Sequence, residues 1–143
     1  MNVFALQSDH PLFRYLTDDE RTRVERLGEL RHIPEGDYLI RARDHDSTLF
    51  TVEGGHLDIV VPRDGAEMTV ATVGPGDVIG EVSFIDDSPR TVSVKAGEAT
   101  IVRAWDKRTL AEALAFEPQV MAKFAVAMCE LLVERLRDNA RRV

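Results

Sequence analysis

The chain has 143 residues, of which 44% are hydrophobic and 30% charged, and its formal net charge is −7. This length and composition are typical of one soluble globular domain with a sizeable core. The negative charge disfavours nucleic-acid binding, which depends on neutralising phosphates. No apolar run approaches the roughly 20 residues that cross a bilayer, and the N-terminus lacks the basic start of a signal peptide. A single cysteine, Cys129, excludes an internal disulfide and fits a reducing cytoplasm.

Residues 1–30 are predicted to be helical because apolar positions recur at helical spacing. Thr17 and Glu20 have the spacing of a capping box, and Gly28 is expected to end the helix. From 31 to 106 the pattern changes to short β-branched runs separated by Gly, Pro and Asp. The candidate strands are 30–33, 38–42, 48–53, 56–61, 67–73, 91–96 and 99–105. Short strands at such regular spacing indicate a mainly β fold, a β-barrel or jelly roll with flanking helices.

Two of these strands alternate clearly enough to predict which side chains point inward. The predicted inward residues are Leu57, Ile59 and Val61 in one strand, and Val92, Val94 and Ala96 in the other. After residue 106 the segment 107–143 is predicted to be helical again, with a long helix over 118–139 that begins at Pro118. The apolar stripe of this helix is wide. It fits packing within the fold, and it equally fits a shared face in a parallel homodimer.

The segment 80–91 has a composition that folding alone does not explain. It opens with Gly80 and Glu81 and closes with Arg90 and Thr91. The arginine fork matches phosphate, and glycine lets the backbone approach a ligand closely. Glu81 would repel a phosphate and suits a hydroxyl group instead, so the two charges together describe a nucleotide. The alternative is a surface ion pair between Glu81 and Arg90, which would contribute about 0–1 kcal/mol.

The spacing of Gly80-Glu81-Val82-Ser83 and Pro89-Arg90-Thr91 resembles the phosphate-binding cassette of cyclic nucleotide-binding domains, the family of catabolite activator protein and the regulatory subunits of protein kinase A. The resemblance implies a single domain over 1–143, with N-terminal helices, a β-barrel carrying the cassette over 80–91, and a long C-terminal helix. It implies that Glu81 binds the ribose 2′-hydroxyl and Arg90 the cyclic phosphate. Val82 and Ser83 would contribute backbone contacts, and Thr91 a contact to phosphate or base.

The function implied by the resemblance is that of a cytoplasmic cyclic nucleotide sensor without catalytic activity, cofactor or metal. Cyclic AMP is expected as the ligand on base rates. A threonine directly after the arginine, here Thr91, also occurs in family members that select cyclic GMP. The C-terminal helix would signal by moving, and it serves as a dimer face or as a lid over the base in different members. The alternative is that the chain is the sensing fragment of a transcription regulator or channel, and no helix-turn-helix is expected after the long helix.

Two further expectations concern the rest of the barrel. A cupin-type metal enzyme is the competing jelly-roll function, but it needs clustered ligands. His10, His32, His45 and His56 are scattered without ligand spacing, so each is expected to be a surface histidine. The turn at 43–44 reads Arg-Asp where the family often has glycine followed by an acid, and it is expected to lie away from the ligand.

Overall fold

Eight strands in two antiparallel sheets account for most of residues 28–107 in the computed structural model, which describes residues 10–141 and side chains as far as residue 138. The strands are β1 (Glu29–Ile33), β2 (Tyr38–Ile40), β3 (Thr48–Gly54), β4 (Leu57–Arg63), β5 (Ala66–Val73), β6 (Val78–Ile79), β7 (Ser93–Ala96) and β8 (Thr100–Asp106). One sheet has the order β1-β8-β3-β6, and the other has the order β2-β7-β4-β5. The predicted mainly β, jelly-roll class is confirmed. Strand β6 escaped prediction because two residues are too few to show an alternating pattern.

The core of the strand unit, residues 28–107, is built from inward side chains of both sheets. Its buried members are Ile40, Leu57, Val94 and Ala96 from one sheet, and Phe50, Val52, Ile79, Val102 and Ala104 from the other. Val92 and Ile59 pack against this cluster, as predicted. The prediction for Val61 is wrong, because Val61 is only half-buried and its neighbour Val60 is the buried residue. The pairing of β4 with β5 shifts between Ile59 and Val60, where Val70 of β5 is the extra residue without an opposite partner.

The second unit consists of residues 10–27 and 108–141 and is helical. The helices of the chain are a 3-10 turn (Pro11–Phe13), α1 (Asp18–Leu27), α2 (Glu81–Asp86), α3 (Lys107–Ala113) and α4 (Pro118–Arg141), and α2 belongs to the strand unit. The capping box is confirmed, since Thr17 N–H donates to Glu20 Oε1 at 2.9 Å and Glu20 N–H donates to Thr17 Oγ1 at 3.2 Å. The part of the predicted N-terminal helix over 1–9 lies outside the described residues. Within the described range, no helix combines the length and the hydropathy needed to cross a membrane.

Helix α4 carries two apolar faces. Its buried face is formed by Val120, Phe124, Ala127 and Met128. Exposed small and apolar residues also recur along it at alternating spacings of four and three, and we call them the α4 seam: Ala122, Val126, Cys129, Val133 and Leu136. Alternation of three and four is the spacing of coiled-coil contact positions.

Gly28 gives a direct test of packing in the strand unit. A Cβ atom at this position would lie 2.6 Å from Arg103 Cγ and 2.8 Å from Trp105 Cε2. We expect Gly28→Ala to lower the free energy of unfolding by about 1–3 kcal/mol, the range for overpacking a buried site. Gly54→Ala is the matched control, because nothing lies within 4 Å of its added Cβ. Urea denaturation of both variants checks this, and equal stabilities would contradict the packing argument.

Candidate functional site

Arg90 follows the loop after α2, and its side chain is only 3% exposed. Nη1 donates to the Gly80 carbonyl at 3.1 Å, while Nη2 donates to the Thr48 carbonyl at 2.6 Å and to Asp46 Oδ2 at 3.0 Å. The guanidinium carbon lies 5.9 Å from the centre of the Phe50 ring, within cation–π range. The buried Nε atom has no hydrogen-bond partner among the described residues. Arg90 is therefore a fixed, buried cation with one N–H donor that has no partner among the described residues.

Asp46 is the carboxylate partner of Arg90. The surface ion pair between Glu81 and Arg90 that the sequence left open is not formed. Oδ1 of Asp46 accepts from Thr48 N–H at 3.1 Å and from the Thr48 hydroxyl at 2.6 Å, which aims Oδ2 at Arg90. Partial burial opposes ionisation, but the Thr48 hydroxyl and the Arg90 guanidinium outweigh it, so the pKa of Asp46 lies below its ordinary value of 3.8. Asp46 is therefore an anion at neutral pH.

Gly80 joins Arg90 to the start of α2. Its φ is +84°, and an added Cβ would lie 2.7 Å from the Thr48 carbonyl oxygen and 2.8 Å from Arg90 Nη1. Only glycine is compatible with both the backbone conformation and the approach of the arginine. The Gly80 carbonyl also accepts from Phe84 N–H at 3.1 Å. The amide groups of the residues between them precede the first hydrogen bond of the helix.

The predicted site residues fall into two groups around this contact. Glu81, Val82 and Ser83 form the first turn of α2 directly after Gly80. Glu81 is half-buried, Val82 is 52% exposed and Ser83 is buried. Thr91 is exposed and follows Arg90 in the chain. The structure thus brings Arg90 against Gly80, at the head of the turn that carries the other cassette residues.

The turn at 43–44 corrects one expectation. It does not lie away from Arg90: Arg43 N–H donates to the Arg90 carbonyl at 2.8 Å, and Arg90 N–H donates to the Asp44 carbonyl at 2.9 Å. Arg43 has a φ of +77°, a conformation that suits glycine and strains other residues by roughly 1–2 kcal/mol. The positive φ accounts for the glycine that the family pattern often has at this position, whereas this chain has an arginine there.

Asp46 and Thr48 are the site residues that sequence reasoning missed. The sequence places residues 43–47 only between two candidate strands. The local turn was readable, because an aspartate two residues before the first residue of β3 can accept from that residue's backbone N–H, but this spacing does not indicate a contact with Arg90.

The histidines occupy different depths in the structure. Among residues 10–141, no three His, Cys, Asp or Glu side chains are placed to hold a metal ion. The expected surface position is wrong for His10, which is buried and whose Nδ1 accepts from Leu12 N–H at 3.1 Å. His56 lies between two carboxylates, with Nδ1 3.3 Å from Glu98 Oε2 and Nε2 3.8 Å from Asp58 Oδ1.

Comparison with known proteins identifies the family of the chain. A family model described as the cyclic nucleotide-binding domain matches residues 30–116. The chain belongs to the cyclic nucleotide-binding domain family. The cAMP-dependent protein kinase regulatory subunit of Mycosarcoma maydis is 30% identical over 92 residues, which cover 64% of this chain and 18% of that protein. The cyclic AMP receptor protein of Thermus thermophilus is 29% identical over 129 residues, covering 90% of this chain and 58% of that protein.

A solved structure supports the fold over almost the whole length of the chain. The crystal structure of a cyclic nucleotide-binding domain from Methylobacillus flagellatus superposes with a TM-score of 0.81 at 26% identity. The match covers 99% of this chain and 78% of that structure. The chain spans less than two thirds of the length of the two curated relatives named above.

The acidity of Asp46 makes its contribution dependent on pH. Because its folded pKa is lowered, the stability it provides is present above the unfolded value of 3.8 and is lost as the pH falls through the folded pKa. We expect Asp46→Asn to lower the free energy of unfolding by about 1–2 kcal/mol near pH 7, and by much less near pH 3. The effect stays below that of a fully buried ion pair because the Asp46 side chain is 40% exposed.

Urea denaturation at both pH values measures this difference. Asp44→Asn is the matched control, because Asp44 contacts Arg90 only through its backbone carbonyl. A loss of stability for Asp46→Asn that is the same at both pH values would show that the carboxylate charge is not responsible.

Proposed function

We propose that this chain is a non-catalytic sensor module that binds a cyclic nucleotide at the Arg90 site and acts as one domain. Arg90 binds the cyclic phosphate, and Glu81 accepts a hydrogen bond from the ribose 2′-hydroxyl. The backbone of Val82 and Ser83 lines the phosphate and sugar, and Thr91 contacts the phosphate or the base. These assignments rest on the family's cassette pattern at 80–91, together with the geometry around Arg90.

The observation that carries the proposal is the buried Arg90 guanidinium with an unused Nε donor. Two backbone carbonyls and Asp46 fix its orientation, so little rotamer freedom would be lost on binding an anion. With a net charge of −7, the chain offers an anionic ligand no general attraction. Binding must therefore come from a local cation, and Arg90 is placed to provide it.

Cyclic AMP is the preferred ligand in this proposal. The kinase subunit from Mycosarcoma maydis and the receptor protein from Thermus thermophilus are both named for cyclic AMP. Thr91 is exposed directly after Arg90, where its hydroxyl can reach a phosphate oxygen or a guanine edge. Titration of the chain with both nucleotides decides the preference. A Thr91→Ala variant that weakens only cyclic GMP binding would assign the hydroxyl to the base.

Substitution of the two charged residues tests the site. We expect Arg90→Ala to weaken cyclic AMP binding by about 30- to several-thousand-fold, equivalent to roughly 2–5 kcal/mol for truncating a buried phosphate partner. Glu81→Ala should weaken binding less, by about tenfold, because one hydroxyl contact is lost. Isothermal titration calorimetry gives both affinities, and circular dichroism confirms that each variant is folded.

Two controls protect the interpretation of this test. Arg90→Lys keeps the charge but loses the fork, so it should also bind poorly. Arg63→Ala removes an arginine that contacts Met68 and should bind normally. A folded Arg90→Ala variant with wild-type affinity would refute the site, and a wild-type chain that binds neither nucleotide would refute the function.

The module is also proposed to form a parallel homodimer through the α4 seam. The seam has valine at 126 and 133 and leucine at 136, with spacings of three and four. β-Branched residues at one contact position and leucine at the other favour two parallel strands. Ligand binding then shifts the population between arrangements of the cassette and the C-terminal helices, so that movement of α4 carries the signal.

Oligomeric state and cross-linking test the seam. Leu136→Glu should convert a dimer to a monomer in sedimentation equilibrium, whereas Glu134→Gln, two residues away and off the seam, should not. In a parallel dimer each Cys129 faces its own copy, so a mild oxidant should produce a covalent dimer. A wild-type chain that sediments as a monomer at micromolar concentration would contradict this proposal.

A further inference from the structure

The C-terminal end of α2 is tied down by the side chain of Asp87. This residue has a φ of +57°, and its N–H donates to the Ser83 carbonyl at 2.9 Å. Its Oδ1 accepts from the Ser47 hydroxyl at 2.7 Å, and its Oδ2 accepts from Lys107 Nζ at 3.0 Å. Lys107 Nζ also donates to the carbonyl of Ile85 at 3.1 Å. The end of the cassette helix is therefore fixed to a loop residue and to the first residue of α3.

One three-residue segment, 46–48, contacts the cassette at two residues near its C-terminal end, Asp87 and Arg90. Asp46 and the Thr48 carbonyl accept from Arg90, while Ser47 donates to Asp87. The Ser47 carbonyl also accepts from Lys107 N–H at 3.3 Å. Because the three consecutive residues of segment 46–48 contact Arg90, Asp87 and Lys107, a displacement of Arg90 should also displace Lys107, the first residue of α3.

The geometry points to Asp87 and Lys107 as positioning residues for the Arg90 site, which couple the cassette to the start of α3 through segment 46–48. This inference rests on the proposed function. Neither residue touches the proposed phosphate position. They act by keeping the end of α2, and with it the shape of the cassette, in the geometry that places Arg90 and the first turn of α2 around one ligand.

The exposure of the Asp87–Lys107 ion pair allows a positioning role to be distinguished from a contribution to stability. The side chains of Lys107 and Asp87 are 36% and 64% exposed, and an exposed ion pair adds little to stability. The Ser47 hydroxyl, followed by Lys107, holds the pKa of Asp87 below its ordinary value, so the carboxylate is charged at neutral pH. Loss of the pair should therefore change ligand affinity more than it changes the melting temperature.

Binding measurements test the coupling. We expect Lys107→Met and Asp87→Asn each to weaken cyclic AMP binding by about 3- to 10-fold, the range for mutations that alter coupling without touching a ligand. Asparagine is chosen because it tolerates the positive φ. The double variant should bind no worse than whichever single variant has the lower affinity, because both substitutions remove the same link. Lys107→Arg keeps the cation and should retain wild-type affinity.

Arg108→Met is the matched control. It removes the neighbouring cation, whose Nε donates to Glu112 Oε1 within α3 at 3.1 Å, and it should leave affinity unchanged. Wild-type affinity in Lys107→Met, or losses that add in the double variant, would overturn the inference.

Hydrogen exchange in the ligand-free protein tests the same link independently of ligand. Lys107→Met should speed amide exchange both at 84–88, the end of α2, and at 107–110, the start of α3. Arg108→Met should leave 84–88 unchanged. If Lys107→Met also leaves 84–88 unchanged, the coupling is overturned, even if the chain proves not to bind cyclic nucleotides.

Discussion

A guanidinium group that is 3% exposed needs its charge and its N–H groups compensated, because an unpaired buried charge costs several kcal/mol. Arg90 meets this need from three places in the chain, the carbonyls of Gly80 and Thr48 and the carboxylate of Asp46. The requirement explains local features that otherwise look unrelated. Position 80 must be glycine, β3 must begin where its first carbonyl faces the arginine, and the strained turn at Arg43 must stay paired with the Arg90 backbone.

The compensation is incomplete in a way that suits binding. Asp46 supplies one negative charge but remains 40% exposed, so solvent screens its hold on the arginine. The Nε donor of Arg90 is buried and unused among the described residues. A phosphate has the fork-matching oxygens and the charge to take up this donor. The cost of ordering the arginine is met when the protein folds, so under the proposed function more of the phosphate interaction would be available as affinity.

The sequence predicted the parts of this site that are local in the chain. Glycine, glutamate and arginine at family spacing identify the cassette without any structure, and seven strands follow from short alternating runs. Asp46 could not be found in this way, because its contact with Arg90 joins residues 44 positions apart and depends on how two strands pair. The burial of Val60 in place of Val61 is not predictable for a related reason, since a run of consecutive β-branched residues does not reveal which of them is inward. The turn at Arg43 was misjudged because spacing along the chain says nothing about which turns meet in the folded barrel.

A sensor also needs a connection between its binding site and its helices that is weak enough to rearrange when a ligand binds. If a buried ion pair joined the cassette to α3, breaking it would cost several kcal/mol. A micromolar ligand has a binding free energy of roughly 8 kcal/mol in total, and this cost would take a large share of it. The exposed pair of Asp87 and Lys107 is worth far less, so a modest difference in ligand affinity between two arrangements is enough to shift their populations. Under the proposed function, the buried arginine would supply the affinity of the site, and the exposed pair would transmit its occupancy to the helix that begins at Lys107.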